Sequence, residues 1–149
     1  DNSETLKKLI VHELAHFQQA FTMGIQKYGV LYGKPNNMLD LCLREGGAEF
    51  ITSLVLNEIT QTKGLEYLQK NESDLKSRFM TDLSKQDAKF WLWDSIDDPS
   101  TPILLGYVMG YQICKAYYQN HEDKESALKE ILVMPQPKAF LEKSTYFKN

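Results

Sequence analysis

Two histidines four residues apart, with a glutamate between them, have the spacing best suited to chemistry. In His12-Glu-Leu-Ala-His16, both imidazoles would leave one face of a helix and could bind the same metal ion. Glu13 follows the first imidazole directly and could take a proton from a water molecule acidified by zinc. The segment predicts a zinc site with His12 and His16 as ligands and Glu13 as general base. The alternative is an ordinary helix with two partly exposed histidines.

A catalytic zinc ion also needs a third protein ligand and one open position for water. Glu45, in the segment Arg44-Glu-Gly-Gly-Ala-Glu49, is the candidate, because a loop and an antiparallel second helix could bring it back beside His16. Glu49 lies one turn further on the same face and could orient a ligand histidine by accepting its hydrogen bond. The two glycines after Glu45 are expected to let this helix approach the first one. A solvated acidic face is the alternative for both glutamates.

Two tyrosines later in the chain are candidates for stabilising a transition state. The segment Gly106-Tyr-Val-Met-Gly-Tyr111 sets two glycines and two tyrosines at four-residue intervals. Tyr107 or Tyr111 could donate a hydrogen bond to a peptide carbonyl oxygen as it becomes tetrahedral, and of the two we favour Tyr111. The alternative for both is packing beside a close contact between helices.

The elements that position these residues are predicted to be helices, because apolar residues recur at three and four positions and strand-like alternation is nearly absent. The predicted helices are Ser3 to about Gly24, Met38 to Ile59, shorter helices between Gly64 and Phe90 with a break near Asn71, Pro102 to Tyr118, Asp123 to Leu132, and Lys138 to Lys143. We therefore expect a mainly α fold, a helical bundle whose two long helices carry the HELAH and REGGAE motifs, with little or no β-sheet.

The apolar periodicity also predicts which helix faces point inward. The predicted core positions are Leu6, Leu9, Ile10, Leu14, Phe17 and Phe21 in the first helix, and Leu39, Leu43, Phe50, Leu54 and Val55 in the second. Tyr32 to Asn37 is expected to be a loop, and Ser100-Thr-Pro102 is typical of a helix start. Cys42 and Cys114 lie in apolar helical patterns and are expected to be buried thiols.

Composition limits the class of protein. The 149 residues predict a single domain, residues 1–149. With 17 basic and 20 acidic residues and no long charge runs, no nucleic-acid partner is expected. The apolar stretches, such as Pro102 to Met109, are far shorter than the roughly 20 residues of a transmembrane helix. The chain begins with Asp1 and its strongest motif starts at His12, a pattern typical of a fragment or a processed product.

The motifs together resemble those of the gluzincin zinc peptidases, in which HExxH is followed by a glutamate ligand on the next helix. The matching segments here are His12–Gln19 (HELAHFQQ) and Arg44–Glu49 (REGGAE). A closer likeness is to predicted zinc-dependent proteases of unknown function and to related gliding-motility lipoproteins, whose pattern includes a GYxxGY-like helix, here Gly106–Tyr111. The resemblance covers about Leu6 to Tyr118. It implies a Zn²⁺ cofactor, peptide or protein substrates and, from some relatives, a location in the cell envelope or periplasm.

One departure from that family keeps a second hypothesis open. Gluzincins normally place a β-sheet before the HExxH helix, and its edge strand binds the extended substrate, whereas only eleven residues precede His12 here. The resemblance therefore implies metal binding more directly than peptidase activity. We expect a zinc-dependent hydrolase that cleaves peptide bonds, a gluzincin-like metallopeptidase. The competing hypothesis is a noncatalytic helical binding module with a structural or vestigial metal site.

Overall fold

The computed structural model describes residues 2–32, 37–93 and 104–148, and within these ranges every regular element is an α-helix. In chain order the helices are α1 (Asn2–Met23), α2 (Ile25–Tyr32), α3 (Met38–Leu56), α4 (Thr62–Lys70), α5 (Glu72–Asp82), α6 (Lys89–Leu92), α7 (Leu105–Asn120), α8 (Lys124–Val133) and α9 (Pro137–Ser144). The predicted mainly α fold is confirmed. Among the helices described, none combines the length and apolar character needed to cross a bilayer.

Helices α3 and α7 form the centre of the core and cross with their backbones in contact. Gly46 faces Gly110, and a Cβ atom built at Gly110 would lie 1.9 Å from the carbonyl oxygen of Cys42. Gly106, one turn earlier, leaves little more room, since a Cβ atom there would lie 2.6 Å from Cys42 Sγ. Real Cβ atoms do not approach neighbours this closely, so only glycine permits the crossing. Gly46 therefore approaches α7, and the prediction that it approaches the first helix is wrong.

The apolar core surrounds this crossing. Its largest fully buried side chains include Met38, Leu39, Leu43, Leu68, Phe79, Trp91, Leu105, Met109, Ile113 and Ile131, from α3 to α8. Leu39, Leu43 and Phe50 are buried as the periodicity of the second helix predicted. Cys42 and Cys114 are also buried and free, as predicted, and burial raises the pKa of both thiols. Both cysteines are therefore held as neutral, unreactive packing residues.

Helix α1 buries the face opposite to the one that the periodicity predicted. The side chains that it buries are His12, Ala15 and Gln19, and its main contacts are with α2, α3 and α8. The predicted core positions are instead 49–69% exposed: Leu6, Leu9, Ile10, Leu14, Phe17 and Phe21. The prediction of an inward apolar face for this helix is therefore wrong. The reason is that α3 offers polar partners to the histidine and glutamine face, which turns the apolar stripe away from the core.

The ends of several helices differ from the predicted ones for local reasons. Helix α3 ends at Leu56 rather than Ile59, because Asn57 adopts the left-handed conformation with φ 54°. Leu54 and Val55 lie in this exposed last turn, and their predicted burial is wrong. The region after Gly24, where the first helix was expected to fade, forms α2.

Other predicted boundaries are confirmed or lie outside the described residues. The break near Asn71 separates α4 from α5, as predicted. Asn37, at the end of the predicted loop, caps α3 by accepting a hydrogen bond from the Asp40 backbone N–H at 2.9 Å. Residues 33–36 of that loop and the predicted helix start at Ser100-Thr-Pro102 lie outside the described residues.

The glycine contact between α3 and α7 gives a stability prediction. Gly110→Ala should lower the free energy of unfolding by about 2 kcal/mol or more, because the added methyl group meets backbone atoms that cannot rotate away. Gly29→Ala is the matched control, since nothing lies within 4 Å of a Cβ atom at this position in α2. Alanine there should leave stability unchanged or raise it by up to about 1 kcal/mol. Urea denaturation compares the two, and equal stabilities would contradict the close crossing.

Candidate metal centre

Three side chains from two helices converge at one point. His12 and His16 lie one turn apart on α1, and Glu45 lies on α3. His16 Nε2 is 3.0 Å from both His12 Nε2 and Glu45 Oε2, and His12 Nε2 is 3.5 Å from the same carboxylate oxygen. Because the three potential ligand atoms all lie within 4.8 Å of one another, they could hold a metal ion. The convergence that the motif spacing predicted is therefore found.

The packing of α1 on α3 brings the three side chains together. The four-residue spacing puts both imidazoles on the buried face of α1, and Ala15 between them is small enough for close contact with α3. Glu45 precedes Gly46, the residue at the crossing of α3 and α7, so its carboxylate lies where all three helices meet. The side chains of the cluster are only 11–17% exposed. A cation held there would be largely shielded from bulk water.

Glu49 lies on the outer side of the His12 ring, where the sequence predicted an orienting carboxylate. Its Oε1 atom is 3.1 Å from His12 Nδ1, an ion-pair distance, although the ring N–H is not aligned for a regular hydrogen bond. Thr60 donates a hydrogen bond to the other carboxylate oxygen of Glu49. Gln61 donates to Oε1 at 3.3 Å. The segment between α3 and α4 thus holds the Glu49 carboxylate beside the ring.

Gln19 lies on the outer side of the His16 ring, a position that the sequence did not predict. His16 Nδ1 is 2.9 Å from Gln19 Oε1, and Gln19 Nε2 donates to the carbonyl oxygen of Arg44 at 3.0 Å. A signal for this contact exists in the sequence: Gln19 is three residues after His16 and seven after His12, so it shares their helix face. Its neighbour Gln18 does not share that face and is exposed.

The charges in the cluster favour a cation. Burial by itself would lower the pKa of His12, but the adjacent Glu45 and Glu49 carboxylates favour the protonated ring and raise this pKa to about 9. Burial by itself would raise the pKa of Glu45, yet its contacts with His12 and His16 hold this pKa at about 2. The pKa of Glu49 is also lowered, mainly because the contacts with His12 and Thr60 outweigh its burial. Two ionised carboxylates thus stabilise positive charge among the imidazoles.

An open cleft of about 460 Å³ lies beside His12 and is also lined by Glu13, Tyr107, Leu9 and Lys8. Glu13 directly follows His12, and its side chain is exposed. The cleft therefore gives water and a ligand access to the side of the cluster on which a predicted general base lies.

The structure brings one of the two candidate tyrosines to the cluster. The ring of Tyr107 stacks on the His12 ring with centroids 5.9 Å apart, and its hydroxyl lies close enough to the Glu45 carboxylate to interact with it. Burial, together with the charge of Glu45, raises the pKa of Tyr107, so the phenol keeps its proton. Tyr111, the tyrosine preferred from the sequence, lies one turn further along α7, is 8% exposed and packs with its ring centroid 6.1 Å from that of Phe50.

Comparison with known proteins identified no relative of this chain. No protein-family model, no curated protein and no solved structure matches the chain. The functional conclusion therefore depends on the motifs, on the His12–His16–Glu45 cluster and on the residues around it.

Proposed function

We propose that the chain is a zinc-dependent hydrolase that cleaves peptide bonds, with His12, His16 and Glu45 as the metal ligands. The observation that carries the proposal is the convergence of these three side chains beside a cleft that also exposes Glu13. Structural zinc sites are normally closed by four protein ligands, whereas catalytic sites use three and keep a position open. The cluster found among the described residues has three members, which favours a catalytic site.

The residues present fit a zinc ion. Two imidazole nitrogens and one carboxylate oxygen are a ligand set that catalytic zinc accepts. With Nδ1 of His16 facing Gln19 and Nδ1 of His12 facing Glu49, the Nε2 atom of each ring points to Glu45. Ring nitrogens and a carboxylate oxygen that face one another at 3.0–3.5 Å need positive charge among them, which a ring proton supplies without metal and a bound ion would supply in its place. The arrangement is therefore favourable for a divalent cation.

Each neighbouring residue has a role that its position supports. Zinc, when bound, would supply an acidified water molecule and polarise the substrate carbonyl. Glu13 would accept a proton from the attacking water and pass it to the leaving amine, as an exposed carboxylate next to the ligands can do. Tyr107 would donate a hydrogen bond to the carbonyl oxygen as negative charge develops there, because its raised pKa keeps the phenol protonated.

Peptides are proposed as the substrate class because the motifs resemble those of gluzincins. The competing hypothesis is a noncatalytic binding module. One observation favours that alternative: within residues 2–32, 37–93 and 104–148 there is no strand on which an extended peptide could align. The two hypotheses differ in what Glu13 should do. The general base is essential only in the enzyme, whereas a binding module would tolerate its loss.

The first prediction concerns the metal. The purified chain should bind about one zinc ion per molecule, and His16→Ala and Glu45→Gln should each remove most of it, because each deletes one of three ligands. His121→Ala is the control, because the His121 ring packs against the Tyr117 ring, with centroids 5.5 Å apart, and lies outside the cluster. Elemental analysis after dialysis against buffered zinc measures the content. Unchanged zinc in both cluster variants would show that the ligands are assigned incorrectly.

The second prediction separates catalysis from metal binding. Glu13→Gln keeps the size of the side chain but cannot take a proton, so peptide hydrolysis should fall by about 10²- to 10⁴-fold while zinc affinity stays near that of the wild type. Glu4→Gln, another exposed glutamate of α1, is the matched control and should retain activity. Rates are measured at equal zinc occupancy on a library of peptides. Equal rates for Glu13→Gln and wild type would exclude the mechanism, and a zinc-loaded wild type without activity would favour the binding module.

The third prediction distinguishes the two tyrosines. Tyr107→Phe should lower kcat by about 10²-fold without loss of zinc, because it removes one donor to the developing oxyanion. Tyr111→Phe removes the same hydroxyl from the residue packed on Phe50 and should leave kcat nearly unchanged. Steady-state kinetics on one cleaved peptide compares them. A large loss in Tyr111→Phe alone would support the preference drawn from the sequence.

A further inference from the structure

We propose that Gln19 is a positioning residue that fixes the His16 ring with its Nε2 atom toward the metal. This inference rests on the proposed metal centre, although not on the reaction catalysed there. Glutamine at this position is 2% exposed, so its amide is committed to partners inside the protein. Both partners belong to the centre or adjoin it: the His16 ring and the backbone immediately before Glu45.

The orientation of the Gln19 amide follows from the chemistry of its partners. The carbonyl oxygen of Arg44 can only accept a hydrogen bond, so the amide must present its NH₂ group there. Its oxygen, Oε1, is then the atom that faces His16, 2.9 Å from Nδ1. Because an amide oxygen can only accept, Nδ1 must carry the proton of the neutral ring. The lone pair of the neutral imidazole is therefore on Nε2, the atom 3.0 Å from Glu45.

A second consequence is mechanical. One side chain connects the His16 ring on α1 to the Arg44 carbonyl on α3, and the next residue after Arg44 is the ligand Glu45. Gly47 lies directly beside this connection, since a Cβ atom there would be in van der Waals contact with Gln19 Nε2 at 3.4 Å. The amide thus sets the ring orientation of one ligand relative to the backbone that carries another. Such outer contacts of ligand histidines typically change metal affinity by about 10- to 100-fold.

Two adjacent glutamines allow a matched test of this role. Gln19→Leu removes both hydrogen bonds, and Gln18→Leu makes the same change at an exposed neighbour that donates a hydrogen bond to Thr22 Oγ1 on the surface. Zinc affinity is measured by competition with a chromophoric chelator, in the absence of substrate. We expect Gln19→Leu to bind zinc about 10- to 100-fold more weakly than the wild type, and Gln18→Leu to match the wild type. Equal affinities of the two variants would overturn the proposal.

A conservative variant distinguishes positioning of the ring from general stabilisation of the packing. Gln19→Glu keeps an acceptor for His16 Nδ1 but loses the donor to the Arg44 carbonyl. If the acceptor positions the ring, Gln19→Glu should restore zinc affinity to within a few-fold of the wild type. If Gln19 only ties α1 to α3, Gln19→Glu should bind as weakly as Gln19→Leu, and this result would reject the positioning role.

If Gln19→Leu does not fold, the orientation of the His16 ring can be measured in the wild-type protein. Imidazole ¹⁵N NMR of the zinc-loaded wild type should show His16 protonated at Nδ1 and metallated at Nε2, and the reverse pattern would overturn the proposal. The outcome is also separable from that for hydrolysis. A chain that shows the predicted zinc affinities and cleaves no peptide would reject the proposed enzyme and leave the role of Gln19 standing. A wild type that binds no zinc would reject both.

Discussion

Helix α1 packs on α3 through its polar face, and the rest of the site depends on this contact. The buried face carries His12, Ala15 and Gln19, and two of these three side chains need polar partners when they leave water. Helix α3 supplies these partners as the carboxylate of Glu45 and the carbonyl of Arg44. The contact that gives the polar side chains of α1 their partners thus also assembles the His12–His16–Glu45 cluster, which could hold a cation. It leaves the apolar stripe of α1 exposed.

Helix α3 serves both the core and the site. Towards α7 it presents Gly46 and Cys42, whose contact with the glycines of α7 brings the two backbones together. This crossing determines how close Tyr107 can come to His12 and Glu45, because Tyr107 immediately follows one of the glycines in contact with Cys42. The packing of the glycines and the placement of the Tyr107 phenol beside the cluster are therefore parts of one interface.

Buried charge is costly, and the molecule offsets it by giving each charged group of the cluster several partners. Glu49 contacts His12, Thr60 and Gln61, while Glu45 contacts both imidazoles and Tyr107. A buried ion pair such as His12 with Glu45 contributes little to stability, since the cost of desolvating both charges opposes their attraction. Its consequence is specificity of position: removing one partner leaves another charge buried, so the side chains are held in one arrangement. That rigidity is what a metal ligand set requires.

The sequence by itself determined the helical class, the pairing of His12 with His16 and the candidacy of Glu45, because residues three or four apart on a helix must share a face. It also identified the small face of α7, since glycines at this spacing are costly in a helix unless something packs on them. Tertiary structure alone decided which face of each helix is covered. Leu14 and Phe17 form a regular apolar stripe, yet the partner α3 meets the opposite face, so periodicity predicted the stripe but not its burial. The choice between the tyrosines and the contact of Gln19 with Arg44 depend in the same way on neighbours distant in sequence, whose positions no local pattern contains.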